Sequence, residues 1–222
     1  MSSLRLALFV YSAFTLAAQG VHPVTGRKFA GVMGMGGADW LVRTEREMEE
    51  EPDHALDAIG INPGEVVADV GAGVGYFTWR LAERVGARGK VWANDIQPKM
   101  LERLKKNMEA RGLVNVETVL GDEGDPRLPP GCCDMVLLVD VYHEFSQPQK
   151  MLWKIRQALK LTGRLVLLEY RKEDPKVPIR LEHKMTVAEV KAEIEPEGFR
   201  LDRTVDVLPR QHVLIFRPLQ SQ

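Results

Sequence analysis

The sequence has few cysteines, no long apolar segment and almost no net charge. Cys132 and Cys133 are the only two cysteines in 222 residues, and they are adjacent. Because neighbouring cysteines rarely bridge each other without strain, a disulfide framework is excluded and two buried thiols are predicted. Lys and Arg number 30 against 31 Asp and Glu, which gives a formal net charge of −1. A generally basic nucleic-acid-binding surface is therefore not expected.

The main apolar run lies at the N-terminus and is too short to span a bilayer. Arg5 precedes the run from Leu6 to Ala18, and Ala18-Gln19-Gly20 supplies small residues for a cleavage point. A transmembrane helix needs roughly 20 apolar residues, so no stable membrane span is predicted. The pattern is typical of a secretory signal peptide over residues 1–20 and predicts an exported protein. A buried or amphipathic N-terminal helix of a cytoplasmic protein is the alternative.

Residues 21–60 are predicted to form an arm and a short helical segment. Val21 to Asp39 is rich in glycine and has no sustained apolar period, so it is predicted to be a loop. Thr44 and Glu47 match a capping box, which predicts that a helix starts there. Pro52 should interrupt this helix.

Residues 61–222 are predicted to form one α/β domain. Short apolar runs bounded by turn residues predict buried strands, and amphipathic segments between them predict helices. The first five predicted strands are Val66–Val70, Val91–Ala93, Val116–Leu120, Met135–Val139 and Leu165–Leu168. The clearest helices are Pro98–Arg111 and Gln149–Leu161, the second with Ser146 as its cap. This alternation implies parallel strands joined by right-handed crossovers, and hence a doubly wound sheet with helices on both faces.

The end of the chain predicts a different connection. A helix that begins with the capping box of Thr186 and Glu189 is followed by two strand-like runs, Leu201–Leu208 and His212–Phe216. Only three residues separate these runs, so they predict a hairpin. The last of seven strands should therefore be antiparallel.

A glycine-rich turn after the first predicted strand is the main chemical signal. Asp69 is followed by Gly71, Gly73 and Gly75. Glycines there permit positive φ, and the helix that follows offers free N–H groups to an anion. Asp95 comes just past the second strand, where a carboxylate accepts hydrogen bonds from ribose hydroxyls. Together the two signals predict an adenosine-containing ligand.

The spacing of these glycines decides between adenosine ligands. A dinucleotide fingerprint ends in glycine or alanine, and that position holds Tyr76, so an NAD-dependent oxidoreductase is the less favoured alternative. The Gly-x-Gly-x-Gly pattern after an aspartate, with Asp95 and Gly121-Asp122 further on, resembles the class I S-adenosylmethionine-dependent methyltransferases. The antiparallel last strand is characteristic of that family. The chain is most similar to its small-molecule branch, which includes the ubiquinone and menaquinone C-methyltransferases, in residues 140–145 and 161–165.

The resemblance implies a cofactor site for S-adenosylmethionine, residue by residue. The implied contacts are Asp69, Gly71, Gly73 and Gly75 around the methionine part, Asp95 at the ribose, Ile96 and Asp122 at the adenine, and Asp140 near the sulfonium and the substrate. Structural roles are the alternatives: a tight turn for the glycines, a helix cap for Asp95 and a surface turn for Asp122.

Three residues after the fourth predicted strand are the candidates for catalysis. They are Tyr142, His143 and Glu144, and open α/β sheets bind ligands at the carboxyl ends of their strands. His143 is the first choice for a base or an orienting group, because histidine titrates near neutrality and accepts a proton from a hydroxyl, a thiol or an acidic carbon. A structural hydrogen-bonding role is the alternative, since many methyltransferases need no base.

A metal site is not predicted. A zinc-protease helix needs a second histidine four residues after His143, and that residue is Gln147. His183 and His212 are isolated in the sequence. The adjacent cysteines also disfavour arsenite-type methylation, which requires dispersed thiols.

The sequence predicts an enzyme with a Rossmann-like fold that moves a methyl group to the O, C or S atom of a small organic acceptor and releases S-adenosylhomocysteine. Trp40 is predicted to cover the substrate as part of a lid, or alternatively to anchor the arm. Charges of mixed sign around residues 172–184 argue against a nucleic-acid partner. A methyltransferase-like binding module without turnover is the alternative outside enzymology. No oligomeric state is indicated.

Overall fold

The computed structural model describes residues 20–219. The predicted signal peptide, residues 1–20, lies outside the described residues except for Gly20. Among the residues that are described, no helix combines the length and the apolar character that crossing a bilayer requires.

A single mixed sheet organises residues 66–218. Its strands are β1 Val66–Val70, β2 Lys90–Asp95, β3 Val116–Leu120, β4 Cys133–Val139, β5 Leu159–Arg171, β6 Lys184–Met185, β7 Phe199–Val205 and β8 Gln211–Pro218. The strand order is β3-β2-β1-β4-β5-β8-β7, and β6 pairs with β5 outside this path. Strands β1 to β5 pair in parallel, whereas β8 is antiparallel to both β5 and β7. The predicted seven-stranded sheet with an antiparallel last strand is confirmed, and the two-residue β6 adds to it.

Helices cover both faces of the sheet, as predicted for a doubly wound fold. They are α1 Arg46–Glu50, α2 Pro52–Ile59, α3 Thr78–Val85, α4 Pro98–Ala110, α5 Pro148–Ala158 and α6 Val187–Ile194. Apolar residues of α2 and α3 share one buried cluster, and those of α5 and α6 share another. Alternate residues of β1 enter the two clusters, Val67 the first and Ala68 the second, because side chains of a strand point to opposite faces. The sheet is therefore buried on both faces.

The strand order places a crevice beside β1. The chain leaves β1 toward β2 on one side, while it leaves the neighbouring β4 toward β5 on the other. Parallel sheets bind ligands outside the carboxyl ends of strands at such a switch point. The loops after β1 and β4 therefore face a common space.

The arm and the cysteines follow their predictions in most respects. Residues 21–39 form no long helix or strand. The predicted interruption at Pro52 is confirmed, because α1 ends at Glu50 and Glu51 adopts a left-handed conformation with φ of 46°. Cys133 is buried and Cys132 is half-buried, and both are free thiols.

The two predicted capping boxes have different outcomes. At α6 the box is formed: the Glu189 N–H donates to Thr186 Oγ1 at 3.0 Å, and the Thr186 N–H donates to a Glu189 carboxylate oxygen at 2.9 Å. At α1 the prediction is wrong, because the helix begins at Arg46 without a side-chain cap. Glu47 instead accepts a hydrogen bond from the Tyr76 hydroxyl at 2.7 Å. Glu47 therefore bonds to Tyr76, which is distant in the sequence, and not to Thr44.

The cap predicted for α5 is also wrong. The helix starts at Pro148 after Gln147, which makes no side-chain cap. The Ser146 hydroxyl donates to the Glu123 carboxylate at 2.9 Å instead. Ser146 therefore acts as a donor to a carboxylate and not as an acceptor for the N–H groups of the helix start.

Replacing Thr186 by alanine should lower the free energy of unfolding by about 1 kcal/mol, because it leaves helix N–H groups without their side-chain acceptor. Urea unfolding followed by circular dichroism measures this loss. Thr44→Ala is the matched control, since Thr44 is exposed and caps no helix. A loss of equal size in both variants would contradict the assignment.

Candidate functional site

A cavity of about 720 Å³ lies at the predicted crevice. Its floor comes from the loops after β1, β2 and β4, and the arm covers it with residues 29–33 together with Trp40 and Leu41. Residues 178–180 and His183 close one side. The N-terminal arm is thus part of the site and forms its roof.

The glycine-rich turn shapes the cavity floor. Gly71, Gly73 and Gly75 all have positive φ, at 76°, 56° and 90°. Gly71 and Gly73 line the cavity, and a Cβ on Gly71 would lie 2.4 Å from a methyl group of Val141. A Cβ on Gly75 would instead meet Leu104 of α4 at 3.0 Å. Gly71 therefore allows close packing of Val141, and Gly75 allows close packing of a helix, while Gly71 and Gly73 leave the cavity floor without side chains.

Asp95 joins the turn to the end of β2. Its carboxylate accepts hydrogen bonds from the Gly73 N–H at 2.9 Å and the Gln97 N–H at 2.8 Å. Burial raises the pKa of Asp95 above its ordinary value, although these two bonds act in the opposite direction. Each carboxylate oxygen keeps further acceptor capacity. Ile96 follows, lines the cavity and is 37% exposed, so it offers an apolar surface beside an acceptor.

Of two further predicted aspartates, Asp122 lines the cavity and Asp69 does not. Asp122 lines the cavity from the loop after β3, and its carboxylate accepts the Gly124 N–H at 3.0 Å, a bond that lowers the pKa of Asp122. Asp69 is buried behind the turn and does not line the cavity. It accepts the Thr78 hydroxyl at 2.6 Å, and burial raises the pKa of Asp69 to about 6. Asp69 thus ties β1 to the start of α3.

Asp140 lines the cavity. It directly follows β4 and has φ of 50°, a left-handed conformation that is uncommon outside glycine but that aspartate adopts more often than most residues. Its Oδ2 accepts the Gln211 amide at 2.7 Å, while the buried Oδ1 has no hydrogen-bond partner among the described residues. Burial raises the pKa of Asp140 well above its ordinary value, and the charges of Glu50 and Glu169 add to this effect. A largely buried carboxyl group at the wall of a cavity, with other negative charges nearby, favours a cationic group beside it.

His143 lines the cavity from a short 3₁₀ helix, Tyr142–Glu144, which with His183 forms a second part of the cavity wall. Its Nδ1 is 2.6 Å from Glu169 Oε2, and its Nε2 is 3.1 Å from His183 Nδ1. Burial lowers the pKa of His143, but the Glu169 carboxylate outweighs burial and the pKa lies above its ordinary value. Burial raises the pKa of Glu144 to about 7. This wall therefore holds groups that exchange protons near neutrality.

Tyr142 and Trp40 are the remaining residues that the sequence predicted for the site. Tyr142 is buried outside the cavity, and its ring packs edge-on against Phe145 with centroids 5.6 Å apart. Trp40 lines the cavity and is 40% exposed, and the Arg43 guanidinium lies 3.8 Å above its ring. Trp40 therefore lies where the lid prediction requires.

Sequence reasoning missed Glu169 and left His183 isolated. Glu169 is fully buried and is flanked in β5 by apolar and aromatic residues. A carboxylate inside an apolar strand was a signal, because such a group is rarely buried without a partner. His183 had no comparable signal, since its contact with His143 joins residues far apart in the chain.

The fold, the glycine turn and the acidic residues at the strand ends define a class I S-adenosylmethionine-dependent methyltransferase. A model of the methyltransferase domain matches residues 61–205, and the chain belongs to this family. The family implies S-adenosylmethionine as the cofactor. The expected resemblance is confirmed.

Individual relatives agree with this family. The ubiquinone/menaquinone biosynthesis C-methyltransferase UbiE of Hydrogenovibrio crunogenus is 31% identical over 120 residues, 54% of this chain and 47% of that protein. Nocamycin O-methyltransferase of Saccharothrix syringae is 33% identical over 109 residues, 49% of this chain and 36% of that protein. The chain thus spans about half the length, or less, of these curated relatives. A SAM-dependent methyltransferase from Aquifex aeolicus superposes with a TM-score of 0.79 at 27% identity, over 83% of this chain and 98% of that one.

Proposed function

We propose that the chain transfers a methyl group from S-adenosylmethionine to an O, C or S atom of a small organic acceptor and releases S-adenosylhomocysteine. One observation carries the proposal: the glycine turn, Asp95 and the largely buried carboxyl group of Asp140 line the same cavity. A nucleoside and a cation are the two parts that these groups suit, and S-adenosylmethionine contains both.

The cofactor-binding roles follow the positions of the side chains around the cavity. Asp95 is proposed to accept from the ribose hydroxyls, with Ile96 against the adenine ring and Asp122 at its amino group. Gly71 and Gly73 leave room for the methionine part. When bound, the cofactor supplies a methyl group on a positively charged sulfur, and that sulfur is then an electron-pair acceptor.

Electrostatics favour a cation at the Asp140 end. Asp140 lies between the negative charges of Glu50 and Glu169, and these add to burial in raising the pKa of its carboxyl. Arg46 is the nearby cation, with its guanidinium 3.9 Å from Asp140, but it is also bonded to Glu50 at 2.7 Å. A further positive charge would stabilise the ionised form of Asp140 in this low-dielectric position.

The chain's contribution to methyl transfer is mainly alignment. An in-line displacement needs the acceptor atom, the methyl carbon and the sulfur on one axis, with water excluded. The arm residues and Trp40 cover the cavity, and so would exclude water. His143 is proposed to contact the acceptor, either to orient it or to take its proton at Nε2, while Glu169 holds the ring through Nδ1. Glu144 lies beside it in the same wall.

Calorimetry with S-adenosylmethionine and with NAD tests the cofactor. We expect binding of the first and none of the second. Incubation with phenols, thiols and quinols, followed by mass spectrometry for S-adenosylhomocysteine and a methylated product, tests turnover. Binding without product in any of these classes would favour a binding module, and binding of NAD alone would favour an oxidoreductase.

A further inference from the structure

We infer that His143, Glu144 and His183 bind one divalent transition-metal ion at the wall of the cavity. The metal site rests on the proposed function in one respect: the methyl acceptor would bind to the ion at the coordination position that the protein leaves open. Metal binding itself does not depend on that function and can be measured without it.

The donor atoms lie close enough to share one ion. One ligand atom from each of the three residues lies within 4.8 Å of the others. His143 Nε2 and His183 Nδ1 are 3.1 Å apart, and the two rings are nearly perpendicular at 85°. Two nitrogens each about 2.1 Å from a metal are about 3.0 Å apart at a right angle and about 3.4 Å apart in a tetrahedron. The observed separation lies between these values.

Glu169 supplies the outer support that a metal-binding histidine requires. Such histidines donate their second ring N–H to a carboxylate or carbonyl, which fixes the tautomer and turns the other nitrogen to the metal. Glu169 Oε2 is 2.6 Å from His143 Nδ1 and is fully buried. With the proton on Nδ1, Nε2 carries the lone pair that binds the ion. In the metal-loaded chain His143 therefore orients the acceptor through the ion and does not take its proton.

Three separate elements hold the ligands in place. The His143 carbonyl accepts the Ala30 N–H and the Arg27 guanidinium, both at 3.0 Å, so the arm fixes the 3₁₀ helix. His183 directly precedes β6, which pairs with β5 at Tyr170, the residue after Glu169. The ligands are therefore held by backbone pairing as well as by their own contacts, which lowers the cost of arranging them.

The donor set indicates the kind of ion and its open position. Two histidines and one carboxylate bind catalytic zinc and related divalent ions, and three protein ligands leave a position for a molecule from solution. All three residues line the cavity, so that position faces the space proposed for the acceptor. A bound ion lowers the pKa of a hydroxyl or thiol, so the class of acceptor is a small molecule with such a group. Its proton leaves to solvent, its lone pair forms the bond to the methyl carbon, and the breaking C–S bond leaves its electrons on the sulfur.

The absorption spectrum of Co²⁺ tests the site. Untagged full chain is freed of metal with a chelator, titrated with Co²⁺, and then titrated with Zn²⁺ in competition. We expect one equivalent of Co²⁺, with visible absorption bands that Zn²⁺ abolishes. Removing an outer-shell partner costs about 10- to 100-fold in metal affinity, so His183→Ala should lose at least about 100-fold.

His54→Ala is the matched control, because His54 is an exposed histidine paired with a carboxylate, Glu51, far from the cavity. It should bind Co²⁺ as the unaltered chain does. Glu144→Gln, of nearly equal size, provides a second test if His183→Ala folds poorly, and it should also weaken binding. Failure of the unaltered chain to bind one equivalent, or unchanged affinity in a folded His183→Ala or Glu144→Gln variant, overturns the metal site.

Calorimetry of the metal-free chain with S-adenosylmethionine separates the two proposals. Binding of S-adenosylmethionine by a chain that takes up no metal overturns the metal site alone. Stoichiometric metal binding by a chain that ignores S-adenosylmethionine overturns the proposed methyl transfer alone.

Discussion

Asp95→Ala should weaken the binding of S-adenosylmethionine about 100-fold. Two ribose hydroxyls bonded to a carboxylate contribute about 1.5 kcal/mol or more each, and about 3 kcal/mol corresponds to that factor. The variant also frees the Gly73 and Gln97 N–H groups, which Asp95 holds at 2.9 and 2.8 Å, so the turn loses part of its order before the ligand arrives. Calorimetric titration at constant pH gives the dissociation constant.

Glu117→Ala provides the control for Asp95. Glu117 is a carboxylate on the adjacent strand β3, but its side chain is 57% exposed and pairs with Lys90 outside the cavity. Its replacement should change the dissociation constant less than about twofold, since exposed ion pairs contribute little. If Asp95→Ala binds the cofactor as tightly as Glu117→Ala does, then Asp95 does not bind the ribose.

His143→Ala should lower turnover at saturating cofactor by about 100-fold or more. A side chain that moves a proton in the transition state contributes about 100- to 10,000-fold, and a side chain that holds an ion lowering the pKa of the acceptor is also needed for the chemical step. The cofactor dissociation constant should stay within about threefold, because the side-chain partners of His143 are Glu169 and His183 and not the glycine turn or Asp95. Rates of S-adenosylhomocysteine formation over a range of acceptor concentrations separate kcat from KM.

Tyr142→Phe is the matched control for His143. The hydroxyl of Tyr142 is buried, has no hydrogen-bond partner among the described residues and lies outside the cavity. Its removal should leave turnover unchanged. His143→Ala leaves one oxygen of the buried Glu169 carboxylate without its His143 partner, and this loss could unfold the chain. Thermal unfolding therefore measures the stability of the variant. His143→Gln, which keeps a polar group, separates a loss of folding from a loss of catalysis. Full turnover in a folded His143→Ala variant would exclude a direct role.

The strands were predictable because their signals are local. The predicted β1 and β3 match the observed Val66–Val70 and Val116–Leu120, where turn residues directly bound an apolar run. β5 was predicted too short at both ends, since it runs from Leu159 to Arg171, and its first residues were predicted as the end of the preceding helix. The residues beyond Leu168 include Glu169, whose charge breaks the apolar pattern. The strand continues there because Glu169 and Tyr170 pair with β8.

Caps were predictable only where distant groups left the capping atoms available. Lys172 also bonds to Glu189, but it contacts Oε1 and leaves Oε2 to accept the Thr186 N–H. Glu47 has the same local pattern with Thr44, but Tyr76 and Arg80 come within reach after folding. A local pattern states which bonds are available, and the fold decides which are formed.

The two parts of the cavity wall also differ in how far the sequence predicts them. The part formed by the glycine turn and Asp95 was predictable because these residues follow consecutive strands, and parallel strands bring their carboxyl ends to one edge. Gly71, Gly73 and Asp95 all line the cavity. Asp69 has the right spacing but points to Thr78, which spacing alone does not reveal.

The amino-acid sequence by itself determined the order of strands and helices, the antiparallel last strand and the class of cofactor, because each depends on the period of apolar residues or on a few adjacent positions. Only the tertiary structure decided which residues meet at the part of the cavity wall around His143. His143, Glu169 and His183 come from the loop after β4, from β5 and from the segment before β6. Their contacts exist only once β4, β5 and β6 are paired, because no pattern within one segment encodes a distance between segments.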